Sequence, residues 1–240
     1  MNQDQLQKHN NEKSRQNRPQ DSLWTLLGDQ FTAERKNRME AVAAGRTGHI
    51  RLIIQDIHDP HNIAACMRSA EGLGILNIDV INLYQAFKPS TAAKGAGSWL
   101  KIRQWSQVSE CVSALREEGY LIAAGMPSQD SISLYDMPVQ NKIALLFGNE
   151  HQGVAKEWLD HVDIRFTIPM VGMVESFNIS VSAALSLADV SRRARLELGD
   201  TNYYLSEKEQ HSLLGEWASK KIRKSNLVID EKLRRIAETN

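Results

Sequence analysis

The stretch that decides the fold is an apolar run that ends in a glycine turn: residues 142–153 read KIALLFGNEHQG. The run from Lys142 to Phe147 does not alternate between apolar and polar residues, as a strand with one solvated face does. A continuous apolar run that is closed by Gly148 predicts a strand buried on both faces, followed by a turn into a helix. Strands of this kind are typical of parallel sheets.

The same pattern of strand, turn and helix repeats on both sides of this stretch. Five more strands are predicted at residues 51–57, 78–82, 100–104, 120–124 and 164–168, and four helices at residues 63–73, 108–118, 154–161 and 179–198. Residues 89–98 are predicted to form a loop or a short helix. Because strands and helices alternate, the sequence predicts an α/β fold with a mostly parallel sheet and helices on both faces.

Four segments are predicted from the patterning of the whole chain. Residues 1–20 are polar and are expected to be a disordered tail. Residues 21–48 are expected to be a helical extension, with a helical pattern over 22–44 and a glycine-containing linker at 45–48. Residues 49–198 form the predicted core domain. Residues 199–240 are predicted to be a helical, partly basic extension in which Ser206 and Glu209 form a capping box.

The composition narrows the class of protein. The 240 residues carry 29 Lys and Arg against 29 Asp and Glu, and this zero net charge does not by itself indicate a nucleic-acid binder. No apolar run approaches the roughly 18 residues of a membrane span, and the polar start lacks the apolar core of a signal peptide. A cytoplasmic protein is therefore expected, with Cys66 and Cys111 as small buried residues. His58 and His61 lack the further ligands that a metal site requires.

Basic residues cluster in two places, at Arg192, Arg193 and Arg195 and again at Lys220, Lys221, Arg223 and Lys224. A solvated helix face is the favoured interpretation of either cluster alone, and a surface for a nucleic-acid backbone is the alternative. Charge alone does not decide between the two.

Polar residues follow the first predicted strand, where residues 58–70 read HDPHNIAACMRSA. Pro60 fixes a turn, and Asn62 is a candidate N-cap of the next helix. Arg68 lies among small residues of a helix that is expected to be packed, and a buried arginine requires an anionic partner. A structural ion pair and a functional site account for Arg68 equally well.

Two further segments follow strands, and ligands of parallel α/β sheets bind beyond the carboxyl ends of the strands. In residues 148–153, GNEHQG, the carboxylate of Glu150 lies between two glycines that allow a ligand to approach the backbone. Residues 168–184 read IPMVGMVESFNISVSAA, in which an apolar loop around Gly172 could hold an aromatic ring such as adenine and Asn178 is a candidate N-cap. The glycine spacings of ATP and dinucleotide sites are absent from the sequence.

Taken in order, the three segments resemble the three sequence motifs of the 2′-O-ribose methyltransferases of the SPOUT superfamily, over residues 50–195. The third segment is similar to that of the tRNA guanosine-18 branch, as are the basic run at residues 191–195 and the YLSEKEQ stretch at residues 204–210. The resemblance implies an S-adenosylmethionine-dependent enzyme that methylates a ribose 2′-hydroxyl of RNA, in this branch guanosine 18 of the tRNA D-loop. It also implies a deep C-terminal trefoil knot and a homodimer with active sites at the subunit interface.

The resemblance also implies roles for individual residues. Arg68 would act on the 2′-hydroxyl, either as a base or by stabilising the oxyanion, and Asn62 would orient it. The implied catalytic positions are Asn62, Arg68, Glu150, Ser176 and Asn178. The implied cofactor contacts are Gly125, Met126, Gly148, Ile168, Val171, Gly172, Met173 and Phe177, and the expected RNA contacts are Arg192, Arg193, Arg195, Lys220, Lys221 and Arg223.

The sequence departs from the tRNA branch in two respects. Glu175 and Phe177 stand where that branch more often has Gln and Leu, and the N-terminal extension is longer. The first departure leaves Ser176 and Asn178 in place, whereas the second keeps ribosomal RNA as an alternative substrate. A non-catalytic RNA-binding protein of the same fold is the other alternative, and the five intact catalytic positions argue against it.

Overall fold

The structure is a computed structural model that describes residues 20–83 and 93–239. The chain forms two compact units: Arg46–Tyr204, which we call the sheet unit, and the described parts of Met1–Gly45 and Leu205–Asn240, which we call the helical unit. Nearly all of the predicted disordered tail and the first part of the predicted loop at residues 89–98 lie outside the described residues.

The described residues form seven strands, and every neighbouring pair of strands is parallel. The order in the sheet is β3-β2-β1-β6-β4-β7-β5. The strands are β1 (Thr47–Gln55), β2 (Ile75–Ile81), β3 (Lys101–Trp105), β4 (Leu121–Gly125), β5 (Ile132–Ser133), β6 (Ile143–Phe147) and β7 (Ile164–Thr167).

Nine α-helices are present in the same described residues. They are α1 (Gln20–Leu27), α2 (Ala33–Ala44), α3 (Pro60–Gly72), α4 (Ala93–Gly97), α5 (Val108–Glu117), α6 (Ile179–Leu198), α7 (Asp200–Tyr203), α8 (Glu207–Lys221) and α9 (Ser225–Thr239).

The central strands are buried on both faces, because successive side chains of a strand point to opposite sides of the sheet. In β1, Leu52 and Ile54 belong to the apolar cluster that includes residues of α3 and α6, whereas Ile53 belongs to the cluster that includes residues of α5. The prediction of a parallel sheet covered by helices on both faces is therefore confirmed.

The strand order determines where a ligand site can form. From β1 the chain continues to β2 on one side, and from β6 it continues to β7, which lies in the other half of the sheet. Loops that leave two neighbouring strands in opposite directions open a crevice at the carboxyl ends of those strands, which is where α/β proteins bind ligands. Asn62 follows β1 and Glu150 follows β6, so both lie at this crevice.

The beginning of α3 differs from the prediction. The helix starts at Pro60, and its N-cap is Asp59, whose carboxylate accepts a hydrogen bond from the His61 N–H at 2.8 Å. The prediction that Asn62 is the N-cap is wrong, because proline suits the first helical position and starts the helix earlier. The Asn62 side chain is therefore available for contacts across the crevice.

The predicted linker at residues 45–48 is too long, because β1 already begins at Thr47 and only Gly45 and Arg46 lie between α2 and β1. The Thr47 hydroxyl donates a hydrogen bond to the Tyr203 carbonyl at 2.5 Å, which ties the first strand to the end of the sheet unit. The predicted helical stretch before it is two helices, because Thr32 caps α2 by accepting a hydrogen bond from the Arg35 N–H. The sequence patterns did not predict β5, and they gave no separate bounds for α7 and α9 within the predicted helical extension. Only Lys156–Trp158 of the predicted helix at 154–161 is helical, as a 3-10 turn.

The helical unit joins helices from both ends of the described chain. Helix α1 packs along α8, and α9 contacts both of them. Trp24, Leu27, Leu214 and Trp217 are buried, and the predicted capping box of Ser206 with Glu209 is confirmed at the start of α8. None of the helices within the described ranges combines the length and the apolar composition that crossing a membrane requires.

A buried histidine makes the stability of the sheet unit depend on pH. His49 in β1 is buried, and its Nε2 lies 2.9 Å from the Val139 carbonyl oxygen. Burial lowers the pKa of His49 below its ordinary value of 6.5. The unfolded chain therefore binds more protons than the folded chain just below pH 6.5, and the free energy of unfolding falls as the pH falls through this range.

We expect His49→Gln to reduce the loss of stability between pH 7 and pH 5, because a neutral amide can still donate to the Val139 carbonyl. Urea denaturation at several pH values measures the effect. His211→Gln is the control, because His211 is exposed on α8. Equal pH dependence in the wild type and in His49→Gln would contradict the assignment.

Candidate active site

A cavity of about 440 Å³ lies at the carboxyl ends of β4, β6 and β7. This volume is in the range of sites for small organic ligands. Its walls come from the ends of three strands and from the start of α6. The end of β4 contributes Gly125, Met126 and Pro127, and the end of β6 contributes Phe147, Gly148, Asn149, Glu150 and Gly153. The end of β7 contributes Phe166, Thr167, Ile168 and Met170, and the approach to α6 with its first turn contributes Glu175, Ser176, Phe177, Asn178, Ile179 and Ser182.

The turn after β6 is too tight for any residue except glycine at its first position. Asn149 and Gly153 form two backbone hydrogen bonds of 2.9 Å across the turn, and Gly153 has a φ of +71°. A Cβ on Gly148 would lie 2.2 Å from the Gly153 carbonyl oxygen. Gly148 therefore keeps the backbone close to the cavity, and it determines the path of the loop that carries Glu150.

A chain of side-chain hydrogen bonds joins all three motif segments. The Asn62 Nδ2 donates to Glu150 Oε1 at 3.0 Å, and the Asn62 Oδ1 accepts from Asn178 Nδ2 at 3.1 Å. The Asn178 Oδ1 accepts from the Ser180 N–H at 2.9 Å and from the Ser180 hydroxyl at 2.6 Å. Asn178 is thus the N-cap of α6, as predicted, and its amide group also reaches the first motif.

The partners fix the orientation of each amide in this chain. A carboxylate only accepts hydrogen bonds, so Asn62 must present its NH₂ group to Glu150. The Ser180 N–H only donates, so Asn178 must present its oxygen to α6 and its NH₂ group to Asn62. All of these hydrogen bonds therefore point the same way, from α6 towards Glu150.

Three polar residues beneath the loops support them, and the sequence patterns did not reveal their role. The buried Asn149 donates to the Asp56 carbonyl at 2.8 Å and accepts from the N–H groups of His151 and Gln152. Asp56 has a φ of +47°, and its carboxylate accepts from the Leu83 N–H at 2.8 Å. The Gln55 side chain accepts from the Ala155 N–H.

These contacts connect the loops after β1, β2 and β6. The sequence carries a signal only for the backbone of Asp56, which directly follows β1, because Asp tolerates the left-handed region better than most other residues. It carries no signal for the contacts between the loops.

Of the five predicted catalytic residues, Arg68 is the one that neither joins this hydrogen-bonded chain nor lines the cavity, whereas Ser176 lines the cavity without joining the chain. The expectation that it is buried is wrong: Arg68 is exposed on α3, because Cys66, Met67 and Ala70 occupy the buried face of that helix. It does not line the cavity, and it makes no hydrogen bond or ion pair with the described residues. The expected contact with Asn62 is also absent there, since both ends of the Asn62 amide are bound to other partners.

The other predicted site residues fall into two groups. Glu150, Ser176 and Asn178 line the cavity, as do five of the predicted cofactor contacts, namely Gly125, Met126, Gly148, Ile168 and Phe177. The predicted contacts Val171, Gly172 and Met173 are not part of its wall, and the side chains of Val171 and Met173 are fully exposed.

The predicted RNA contacts differ in how far they are accessible. The Arg192 side chain is 65% exposed, with Asp189 as a distant ionic neighbour at 3.9 Å. The Arg193 guanidinium is bound within the fold, to Asp189 at 2.7 Å and to the carbonyls of Met137 at 2.6 Å and Leu134 at 2.8 Å.

Arg195 pairs with Asp200 at 2.8 Å, and its guanidinium carbon lies 5.3 Å from the centre of the Tyr204 ring. In the helical unit, Lys220, Lys221 and Arg223 are exposed.

The cysteines do not supply a nucleophile. Both are buried, as expected, and burial raises the pKa of Cys66 and of Cys111 to about 12. Neither thiol is ionised near neutral pH, and a thiol rather than a thiolate is a poor nucleophile. In the part of the chain that the structure describes, no three His, Cys, Asp or Glu side chains are grouped as metal ligands.

The fold and the site define an α/β protein with a cavity of small-ligand size at the carboxyl edge of its sheet and a polar assembly of three loops beside it. The chain belongs to the SpoU methylase family, because residues 49–188 match the SpoU rRNA methylase family.

Several relatives carry the name tRNA (guanosine(18)-2′-O)-methyltransferase, including one from Borreliella burgdorferi and one from Thermus thermophilus. The one from Borreliella burgdorferi is 30% identical over 190 residues, which cover 78% of this chain and 86% of the relative. The one from Thermus thermophilus is 30% identical over 169 residues, which cover 70% and 87%. A crystal structure of the A. aeolicus TrmH/SpoU tRNA-modifying enzyme is similar with a TM-score of 0.71 and 26% identity, over 80% of this chain and 98% of that one.

We expect Gly148→Ala to weaken the binding of S-adenosylmethionine, the ligand that the sequence resemblance implies, by about tenfold, because the new Cβ must displace the turn that forms the cavity wall. Titration calorimetry measures the affinity. Gly72→Ala is the matched control, because a Cβ at the end of α3 has no atom within 4 Å. Binding by Gly148→Ala at the wild-type affinity would show that the turn does not contact the ligand.

Proposed function

We propose that the protein transfers a methyl group from S-adenosylmethionine to a ribose 2′-hydroxyl of RNA, and that its substrate is guanosine 18 in the D-loop of tRNA. The observation that carries this proposal is the hydrogen-bonded assembly of Asn62, Glu150 and Asn178 at the edge of a small-molecule cavity. The names of the relatives support both the reaction and the RNA. A non-catalytic protein of the same fold would have no need to keep this oriented chain of amides.

The cavity fits S-adenosylmethionine in size and in chemistry. Its floor is backbone at Gly125 and Gly148, where a Cβ would meet other atoms at 3.0 and 2.2 Å, and its walls include the apolar side chains of Ile168 and Phe177. These four residues would hold the cofactor, together with Met126. When bound, the cofactor supplies a methyl group activated by a positively charged sulfur. The loop from Val171 to Met173 is proposed to contact the adenine.

The residues of the chain have three tasks in this reaction. Ser176 and Asn178 position the ribose at the mouth of the cavity, and Glu150 holds the first and second motif loops together through Asn62. Positioning of this kind contributes roughly 7–11 kcal/mol to rate enhancement in well-aligned systems. Arg68 stabilises the negative charge that develops on the 2′-oxygen while the hydroxyl proton passes to solvent, because a guanidinium stays protonated in proteins and donates hydrogen bonds in a fixed fork.

The exposed position of Arg68 is consistent with a site that is completed by other molecules. Apolar side chains are exposed on the loop before α6 and on one face of that helix, at Val171, Met173, Val174, Val181 and Leu185. An exposed apolar surface of this kind is typical of protein interfaces. We therefore propose a homodimer that buries this surface, a cytoplasmic location, and the trefoil knot that the family resemblance implies for the end of the sheet unit.

The decisive experiment incubates the protein with labelled S-adenosylmethionine and unmodified tRNA transcripts and then maps the methylated ribose. Label at guanosine 18, and its loss in a transcript with 2′-deoxyguanosine at that position, is the expected result. Label on ribosomal RNA alone would keep the reaction and replace the substrate, as the description of the family allows. No label on either RNA, with the cofactor still bound, would favour a non-catalytic RNA-binding protein.

We expect Arg68→Ala to lower kcat by at least a hundredfold, the size of effect that removal of one oxyanion-stabilising donor has in other enzymes. Cofactor affinity should stay within about threefold of wild type, because Arg68 does not line the cavity. Single-turnover kinetics and calorimetry measure the two quantities. Arg68→Lys keeps the charge without the planar fork and should recover only part of the rate. Near-normal turnover by Arg68→Ala would remove Arg68 from the mechanism.

The neighbouring residues Arg192 and Arg193 allow an effect on RNA binding to be distinguished from an effect on the stability of the fold. Arg192→Ala should weaken tRNA binding and reduce the slope of log K against log [salt] by about 0.9, the value for one phosphate contact in a duplex. Arg193→Ala should instead lower the free energy of unfolding by about 1–3 kcal/mol, because it leaves the Met137 carbonyl without its guanidinium donor and leaves the Leu134 carbonyl with only the Met137 N–H at 3.3 Å. Filter binding over a salt series and urea denaturation test the pair. The opposite outcome would exchange the roles of the two residues.

A further inference from the structure

The wall of the cavity carries charged side chains of only one sign. Among the described residues that line it, the ionisable ones are Glu150 and Glu175, and no Lys, Arg or His is present. The electrostatic potential of the cavity is therefore expected to be negative. A negative potential favours a cationic ligand over a neutral one of the same shape.

The two carboxylates differ in what they already bind. Glu150 accepts a hydrogen bond from the Asn62 amide at 3.0 Å and lies 3.5 Å from the His58 N–H. Glu175 is exposed at the end of the apolar loop, beside Ser176, and makes no hydrogen bond or ion pair with the described part of the chain. The Glu175 carboxylate thus has its hydrogen-bonding capacity left for what enters the cavity.

We propose that Glu175 is a specificity-determining residue that makes the cavity prefer the cationic methyl donor to its neutral thioether product. This inference rests on the proposed function, since it takes the cavity as the cofactor site. S-adenosylmethionine carries a positive sulfonium, and the product S-adenosylhomocysteine carries an uncharged sulfur at the same place. The rest of the molecule is identical, so one positive charge and one methyl group distinguish substrate from product.

The consequence for the reaction cycle is that the affinity falls when the methyl group is transferred. A carboxylate near a partly exposed site contributes about fivefold to the affinity for a cation, and salt screens this contribution. S-adenosylhomocysteine has an uncharged sulfur and therefore lacks this contribution to its affinity. Glu175 therefore favours exchange of the product for a new donor molecule, whereas Gln at this position would bind the two with more similar affinity.

The test compares ligand affinities by titration calorimetry in the full-length protein. The ligands are S-adenosylmethionine, S-adenosylhomocysteine, and sinefungin, in which an amine-bearing carbon replaces the sulfur and its methyl group. For Glu175→Gln we expect the preference for each cationic ligand over S-adenosylhomocysteine to fall about fivefold. The affinity for S-adenosylhomocysteine itself should be nearly unchanged. Glu157→Gln is the matched control, because Glu157 is an exposed carboxylate of the same unit that does not line the cavity.

A salt series provides a second readout that does not depend on catalysis. The preference of the wild type for the cationic ligands should shrink as the salt concentration rises, whereas that of Glu175→Gln should respond less. An unchanged preference in Glu175→Gln, with all three ligands still bound, would overturn the role of Glu175 and leave the proposed function intact. Failure of the wild-type protein to bind any of the ligands would overturn both.

Discussion

The site depends on one run of hydrogen bonds that points in a single direction, from the first turn of α6 through Asn178 and Asn62 to Glu150. Each member can satisfy its neighbour in only one orientation, because a backbone N–H stands at one end and a carboxylate at the other. In the variant Asn62→Asp, the new carboxylate would face the Glu150 carboxylate, and neither of the two could donate a hydrogen bond. The three loops that carry these residues come from distant parts of the sequence, so this run is what makes them one site.

The sheet provides the rigid frame on which these loops meet. Gly148, Asn149 and Asp56 hold the backbone of the loop that carries Glu150, whereas the apolar loop before α6 and Arg68 are exposed. The cavity is thus formed within one chain, whereas the residues that we propose to meet RNA are exposed side chains.

The sequence predicts the α/β class, the parallel sheet and most of the strands, because short continuous apolar runs bounded by turn residues are typical of strands buried on both faces. The sequence also identifies the three segments that form the site. It misplaces Asn62, because a proline two residues earlier starts the helix sooner than the apolar pattern indicates. It overestimates the burial of Arg68, because small neighbouring residues do not reveal which face of a helix is packed. The roles of Asp56 and Asn149 were not predictable, since they depend on contacts between loops that are far apart in the sequence.

The helical unit is assembled from segments that precede and follow the sheet unit in the sequence. This order has a consequence for the growing chain on the ribosome. Helices α1 and α2 have only 8 and 12 residues, too few for a helix to be stable alone in water. Their packing partner α8 emerges only after the whole sheet unit has been made. Trp24 and Leu27 therefore remain exposed to solvent until α8 has been synthesised. Chaperones that act on nascent chains have their longest opportunity to bind at this stage.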